Sequence, residues 1–188
     1  MTRPLDRDER RLLLDLARRV IAARLDGRPD PGLDPPPGPL LEPRGAFVTL
    51  HLEGHLRGCI GHVIGHHALW LAVRENAVNA AFHDPRFPPL TADELDHVVI
   101  EISALSPLRR IEGPDDLVIG RHGVMIELGG ARGLLLPQVA SELGWSPVTL
   151  LEQTCRKAGL DREAWRRPDA ILEAFEAEVF GEPVAPAT

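Results

Sequence analysis

A cysteine and an arginine lie two residues apart in the segment Leu56-Arg57-Gly58-Cys59-Ile60-Gly61. A nucleophilic cysteine needs a nearby positive charge that favours the thiolate over the thiol. Because side chains alternate along a strand, we expect Arg57 and Cys59 on the same face of an extended segment. Both residues are therefore candidates for catalysis. The alternative is that Cys59 is a buried packing residue, as unpaired cysteines often are.

A second group of polar residues follows further along the chain, at His83, Asp84 and Arg86. Histidine and aspartate can act as general bases, so His83 and Asp84 are secondary catalytic candidates. Arg86 is a candidate for binding a ligand carboxylate or phosphate, or else it pairs with Asp84 to hold a proline-rich loop. Gly58 and Gly61 are candidates for ligand binding, since glycine lets a ligand approach the backbone closely, although a neighbouring helix would need the same space.

Metal binding is a third possibility, because His62, His66 and His67 follow Cys59 closely and add imidazoles to the thiol. Residues three apart on an extended chain point to opposite faces unless the strand ends at Gly61. We therefore predict no metal site. The sequence contains no P-loop, dinucleotide fingerprint or paired Cys-x-x-Cys motif, and no cofactor is predicted.

The Cys59 segment is predicted to be half of a β-hairpin. Residues 46–52 and 55–60 have strand composition, and Glu53-Gly54 forms a two-residue turn between them. That turn would place Cys59 opposite Val48. Residues 68–82 are rich in helix formers, and their alanine face is predicted to cover the hairpin.

The other elements follow from periodicity and from capping residues. Asp6 and Glu9 form a capping box for a helix that runs to residue 25, and a proline-rich connector to Pro43 excludes regular structure. Further strands are predicted at 98–105, 117–119, 123–128 and 131–136, and helices at 91–95, 138–143 and 147–157. Thr91 and Glu94 form a capping box for the first of these helices. Periodicity alone does not decide between helix and strand for 171–180.

Composition limits the partners and the compartment. The net charge of −7 and the pI of about 5.6 argue against a nucleic-acid partner, because phosphate binding depends on clustered basic residues. The two cysteines, Cys59 and Cys155, are far apart and do not form a disulfide framework. The N-terminus has no signal-peptide core and no apolar run is long enough to cross a membrane, so we expect a cytoplasmic protein without a membrane partner.

The hexapeptide Leu56 to Gly61 resembles the hallmark motif of the AMMECR domain family. Further blocks are similar to that family in the same order. They are residues 80–90 (AAFHDPRFPPL), 101–103, 120–123, 133–140 and 157–160. The resemblance covers roughly residues 44–182, and this many ordered blocks make chance agreement implausible. His62 departs from the pattern, since some relatives carry threonine there.

The resemblance implies an α/β (α+β) fold with a mixed, largely antiparallel sheet flanked by helices, a smaller subdomain and a cleft between them. It also implies a strand for 171–180. We expect residues 45–182 to form the AMMECR domain, residues 1–44 to belong to the same unit, and residues 183–188 to be a flexible tail. Prokaryotic relatives are grouped as protein A of the AmmeMemoRadiSam set, which implies a Memo-like protein and a radical S-adenosylmethionine protein as possible partners.

Two kinds of function remain open from the sequence. One is an enzyme, or the accessory subunit of an enzyme, that acts on an unknown small molecule or on a protein in a cleft lined by Arg57, Cys59, Asp84 and Arg86. The other is a non-catalytic adaptor that presents the same surface to a protein partner. A thiolate that forms below neutral pH would favour the enzyme, and a buried, ordinary thiol would favour the adaptor.

Overall fold

The computed structural model describes residues 3–29, 32 and 34–183. The chain divides into two compact units, the first formed by residues 1–107 and 178–188 and the second, smaller one by residues 108–177. From residue 184 onwards the predicted tail lies outside the described residues, and so do positions 30, 31 and 33 of the proline-rich connector.

The first unit begins with helix α1 (Arg7–Leu25), whose capping box of Asp6 and Glu9 is confirmed. Its apolar residues recur at helical spacing, and Leu13, Leu16 and Ile21 are fully buried. We expected the connector that follows to contain no regular structure, and this prediction is wrong. A short 3₁₀ turn forms at Pro39–Leu41, because proline is compatible with the first position of a helical turn.

Strands β1 (Ala46–Leu52) and β2 (His55–His62) form the predicted antiparallel hairpin. Glu53 and Gly54 both have positive φ angles, of 51° and 79°, which is the backbone of a tight two-residue turn whose twist matches that of the strands. The turn prediction is confirmed.

The predicted partner of Cys59 is wrong. A β-bulge shifts the register, because Leu50 pairs with Gly58 while His51 pairs with Leu56, and Arg57 is left as the extra residue on β2. Cys59 therefore lies opposite Thr49 rather than Val48. The bulge also interrupts the strict alternation from which we expected Arg57 and Cys59 to share a face.

Helix α2 (Leu69–Phe82) covers one face of the hairpin and contacts β1, β2 and α1. Its buried residues include Val73, Ala77, Ala80 and Ala81, so the predicted alanine face is the packing face. Short helix α3 (Ala92–Leu95) carries the predicted capping box, and strand β3 (Val98–Leu105) pairs antiparallel with β1. The last residues of strand β7 (Ile171–Gly181) lie beside β3, and the amide of the following residue, Glu182, donates to the Ile100 carbonyl.

The second unit contains strands β4 (Arg109–Arg110), β5 (His122–Leu128), β6 (Ala131–Leu135) and residues 171–177 of β7, whose last residues belong to the first unit. Strand β5 lies between β6 and β7, β4 also pairs with β7, and all these pairs are antiparallel. Helices α4 (Pro137–Glu142) and α5 (Pro147–Lys157) agree with the prediction, and α5 packs on β5 and β6.

The strand predicted at 117–119 is wrong. A 3₁₀ turn at Pro114–Asp116 precedes it, and the Val118 carbonyl accepts hydrogen bonds from the amides of Arg121 and His122. Because this carbonyl is used within a local turn, it does not pair with another strand, and residues 117–119 lie in a loop. Residues 171–180 form the strand that the family resemblance implied. The α/β class with an antiparallel sheet flanked by helices is confirmed.

Candidate functional site

Cys59 lies on the outer strand of the first unit, and the loop after α2 binds its backbone. The Cys59 amide donates to Asp84 Oδ2 at 2.9 Å, and Arg86 Nη2 donates to the Cys59 carbonyl at 3.1 Å. Among the described strands, β2 pairs with β1 alone, so these two main-chain groups point outward and would otherwise need water. Residues 84–86 thus close the sheet edge at the cysteine.

Asp84 and Arg86 also pair with each other through two hydrogen bonds of 2.9 and 2.7 Å. Asp84 is buried, and burial alone would raise its pKa. The Arg86 guanidinium outweighs burial and, with the amides of Cys59 and Arg86, holds the pKa of this carboxyl well below its usual range. Asp84 is therefore a fixed anion and hydrogen-bond acceptor rather than a general base near neutral pH.

The loop begins here because of its prolines. Asp84 precedes Pro85, and a residue before proline is disfavoured in helical conformation, so α2 ends at Phe82. The chain then turns back, and the Leu90 amide donates to the Ala81 carbonyl at 2.8 Å.

Arg57 is buried and engaged with the same loop. Its guanidinium donates to both carboxylate oxygens of Glu94, at 2.8 and 3.0 Å, and to the carbonyls of Pro88 and Pro89. The hydrogen bond from Arg57 is the largest cause that lowers the pKa of Glu94 to about 2. Glu94 also accepts from the Thr91 amide, so one carboxylate caps α3 and binds the bulge residue of β2.

The guanidinium that is bonded to Cys59 is that of Arg86 rather than that of Arg57. All the hydrogen bonds described for Arg57 lead to the loop and to α3. The Arg86 guanidinium has a raised pKa, chiefly because it is bonded to Asp84. Asp84 thus holds a permanent positive charge against the Cys59 backbone.

The Cys59 side chain lies on the sheet face away from α2 and is partly buried. Thr49 Oγ1 donates to Cys59 Sγ at 3.3 Å. Thr49 also pairs with Glu101 on β3, so Cys59, Thr49 and Glu101 form a row across three strands. His51, two residues further along β1, places Nε2 4.0 Å from Glu101 Oε1. A thiol, a hydroxyl, a carboxylate and an imidazole therefore share one face.

The two glycines of the hexapeptide have close neighbours. A Cβ on Gly58 would lie 2.2 Å from the Ala80 carbonyl oxygen of α2. A Cβ on Gly61 would lie 2.3 Å from the Phe47 ring. Packing accounts for both residues, and their assignment to ligand binding stays a prediction.

The remaining secondary candidate, His83, is not brought to Cys59. It is exposed at the end of α2, where Nδ1 lies 3.0 Å from Asn79 Oδ1. Within residues 3–29, 32 and 34–183, no three His, Cys, Asp or Glu side chains are placed to hold a metal ion. No helix in this described part is long and apolar enough to cross a membrane.

Thr49, Glu101 and Glu94 are site residues that the sequence analysis did not select. Alternation along β1 would have grouped Thr49 with His51, but the row with Cys59 depends on the bulge. Glu94 was identified as a helix cap, and nothing in its spacing indicates that it also binds Arg57.

Comparisons with known proteins identify the family. The family model AMMECR1 matches residues 14–180, so the match begins inside α1. A protein of Methanothermobacter thermautotrophicus is 42% identical over 186 residues, which is 95% of this chain and 97% of the relative. A protein of Aquifex aeolicus is 45% identical over 145 residues, covering 73% of this chain and 74% of the relative. The crystal structure of an uncharacterized protein from Pyrococcus horikoshii matches with a TM-score of 0.79 and 40% identity, over 91% of this chain and 90% of that one. The chain belongs to the AMMECR1 family.

Proposed function

We propose that this chain is an enzyme, or the catalytic accessory subunit of one, that uses Cys59 as a nucleophile on the sheet face shared with Thr49, His51 and Glu101. The observation that carries the proposal is the hydrogen bond from Thr49 Oγ1 to Cys59 Sγ, made beside a guanidinium that Asp84 holds in place. A hydrogen-bond donor at the sulfur and a guanidinium bonded to the Cys59 carbonyl are polar surroundings of the kind that a nucleophilic cysteine uses.

The reaction class that suits these groups is group transfer to sulfur. The Cys59 thiolate would attack an electrophilic carbon, such as a carbonyl, and form a carbon–sulfur bond while the leaving group departs with its electron pair. The thiol proton would pass to His51, whose imidazolium is compatible with the neighbouring Glu101 carboxylate. Water or a second substrate would then take the group from sulfur and restore the thiol.

Asp84 and Arg57 are positioning residues in this proposal. Both are buried and bonded to protein groups, so they fix the Cys59 backbone and the loop rather than meet a substrate. A Memo-like protein and a radical S-adenosylmethionine protein remain proposed partners, and an unknown small molecule remains the proposed substrate.

The alternative is a non-catalytic adaptor that presents the same face to a protein. The internal bonding of Arg57 and Asp84 favours it, because the polar residues of the hexapeptide region are largely engaged within the fold.

The test is complementation of a strain that lacks the protein, followed by metabolite profiling. Chains carrying Cys59→Ala or the matched control Cys155→Ala would be compared with the wild type at equal protein abundance. We expect wild type and Cys155→Ala to remove a metabolite that accumulates in the deletion strain, and Cys59→Ala to fail. Full complementation by Cys59→Ala would refute the role of Cys59 as a nucleophile and would favour the adaptor function.

A further inference from the structure

A cavity of about 190 Å³ opens in the first unit, at the end of the hairpin beside α2. His62 ends β2 and pairs with Ala46 of the buried side of β1. By alternation, His62 points to the α2 side of the sheet, whereas Cys59 points to the other side. The cavity is thus separate from the face proposed for catalysis.

The titratable groups that line the cavity are three histidines, one arginine and one glutamate. They are His62, His66, His67, Arg44 and Glu75. The imidazoles come from the end of β2 and the segment after it, Arg44 precedes β1, and Glu75 lies on α2. Elements from several parts of the chain therefore bring potential cations to one concave surface.

Arg44 is buried and incompletely bonded. Its Nε donates to the Leu105 carbonyl at 2.9 Å and its Nη2 to Glu178 Oε1 at 2.8 Å, and Nη1 is buried with no hydrogen-bond partner among the described residues. The Arg44 guanidinium is thus directed at Leu105 and Glu178 rather than exposed in the cavity. Recognition of a ligand in the cavity therefore falls to the histidines.

We propose that this cavity binds a small oxyanion, a carboxylate or a phosphate group, and that it does so when its imidazoles are protonated. Near pH 8 the Glu75 carboxylate opposes an anion, and the charge of Arg44 is already shared with Glu178. In mildly acidic solution imidazole becomes cationic, so His62, His66 and His67 add positive charge around the anion. Charge-assisted hydrogen bonds from these groups are the recognition chemistry.

The size of the cavity is consistent with a ligand of few heavy atoms, since pockets for drug-sized molecules are roughly 300–1,000 Å³. The inference does not depend on the activity proposed for Cys59, because the two sets of residues do not overlap.

The test is titration of inorganic sulfate into the full chain, followed by NMR chemical shifts. Sulfate keeps its double negative charge between pH 6 and pH 8, so any change in affinity reports the protein. We expect roughly tenfold tighter binding at pH 6 than at pH 8, with shifts at residues 44–46, 62–67 and 72–75. Phosphate and acetate compared at one pH would distinguish the phosphate from the carboxylate ligand.

Variants separate the cavity from general charge effects. His66→Gln combined with His67→Gln should abolish most of the pH dependence, and Glu75→Gln should tighten binding at both pH values. The exposed His97, which does not line the cavity, provides the control, and His97→Gln should behave as wild type. Equal sulfate affinity in the double variant and wild type, or shifts that do not map to the cavity, would overturn the proposal.

Discussion

In each unit a helix packs closely against a strand at a glycine, which we call the seat glycine. In the first unit a Cβ on Gly58 would lie 2.2 Å from the Ala80 carbonyl oxygen of α2. In the second, a Cβ on Gly133 of β6 would lie 2.7 Å from the Thr154 carbonyl oxygen of α5. In both places backbone meets backbone, so the missing side chain is what allows the helix to approach.

The two units differ in the position and the burial of their cysteine. Cys155 is on the seated helix and is fully buried, and desolvation raises the pKa of its thiol. Cys59 follows the seat glycine on the strand, so its side chain points away from the helix towards Thr49. Similar packing thus buries one thiol and leaves the other partly accessible.

The units also differ in buried charge. Among the described residues, the buried charged side chains are Glu9, Arg44, Arg57 and Asp84, and all belong to the first unit. Its fold therefore depends on ion pairs and on bonds to the backbone, whereas the described core of the second unit is apolar apart from Thr154.

Alanine at the two seat glycines gives the largest expected effect. Gly58→Ala should lower the free energy of unfolding by about 3 kcal/mol and Gly133→Ala by about 1–2 kcal/mol, because the contact at Gly58 is shorter. Chemical denaturation measures both values. Gly113→Ala is the control, since Gly113 has an extended backbone and no atom of the described residues lies near its Cβ position. A Gly58→Ala protein as stable as this control would show that the close approach of α2 to Gly58 does not matter for stability.

Removal of the carboxylate at the sheet edge comes next. Asp84→Ala leaves the Cys59 amide and Arg86 without their acceptor and should cost about 2–4 kcal/mol. Asp93→Ala, an exposed acid on α3, should change stability by less than about 0.5 kcal/mol. Equal denaturation midpoints for the two variants would show that the edge contact contributes nothing.

Acid should weaken the wild type through Asp84 and Glu94. Both have pKa values below those of the unfolded chain, so their stabilisation is complete above about pH 5 and is lost as pH falls through the folded values. For Glu94 that loss extends to about pH 2. Asp84→Asn should therefore remove about 1–2 kcal/mol of the fall in stability between pH 4.5 and pH 2.5. Thermal melts across this range measure it, and parallel curves for variant and wild type would contradict it.

The smallest expected effect concerns the thiols. Native Cys59 should alkylate at least roughly tenfold faster than Cys155, because Cys155 is buried and its thiol pKa is raised. Mass spectrometry after limited alkylation reports each site. Thr49→Val and Arg86→Gln should slow labelling of Cys59 by a few fold, since each removes a polar group that contacts this residue. Equal labelling of both cysteines would remove the contrast between the units.

The same experiment tests the cation first assigned to Cys59. Arg57→Gln should change stability through Glu94 more than it changes the labelling rate, because its described hydrogen bonds lie in the loop and α3. A larger rate effect from Arg57→Gln than from Arg86→Gln would restore the original assignment.

The sequence by itself determined most of the helices and strands of this protein, because local chemistry encodes them. Asp6 with Glu9, Thr91 with Glu94 and Glu53-Gly54 are caps and a turn whose geometry depends on near neighbours. The ordered family blocks likewise predicted the α/β class and the strand at 171–180. Only the tertiary structure decided the surroundings of Cys59. The bulge at Arg57 shifted the register by one residue, and the return of residues 84–94 across β2 gave Arg57 and Asp84 their partners. The bulge changes a register that strict alternation cannot reveal. The contacts of residues 84–94 join segments distant in sequence, and residue spacing carries no information about such contacts.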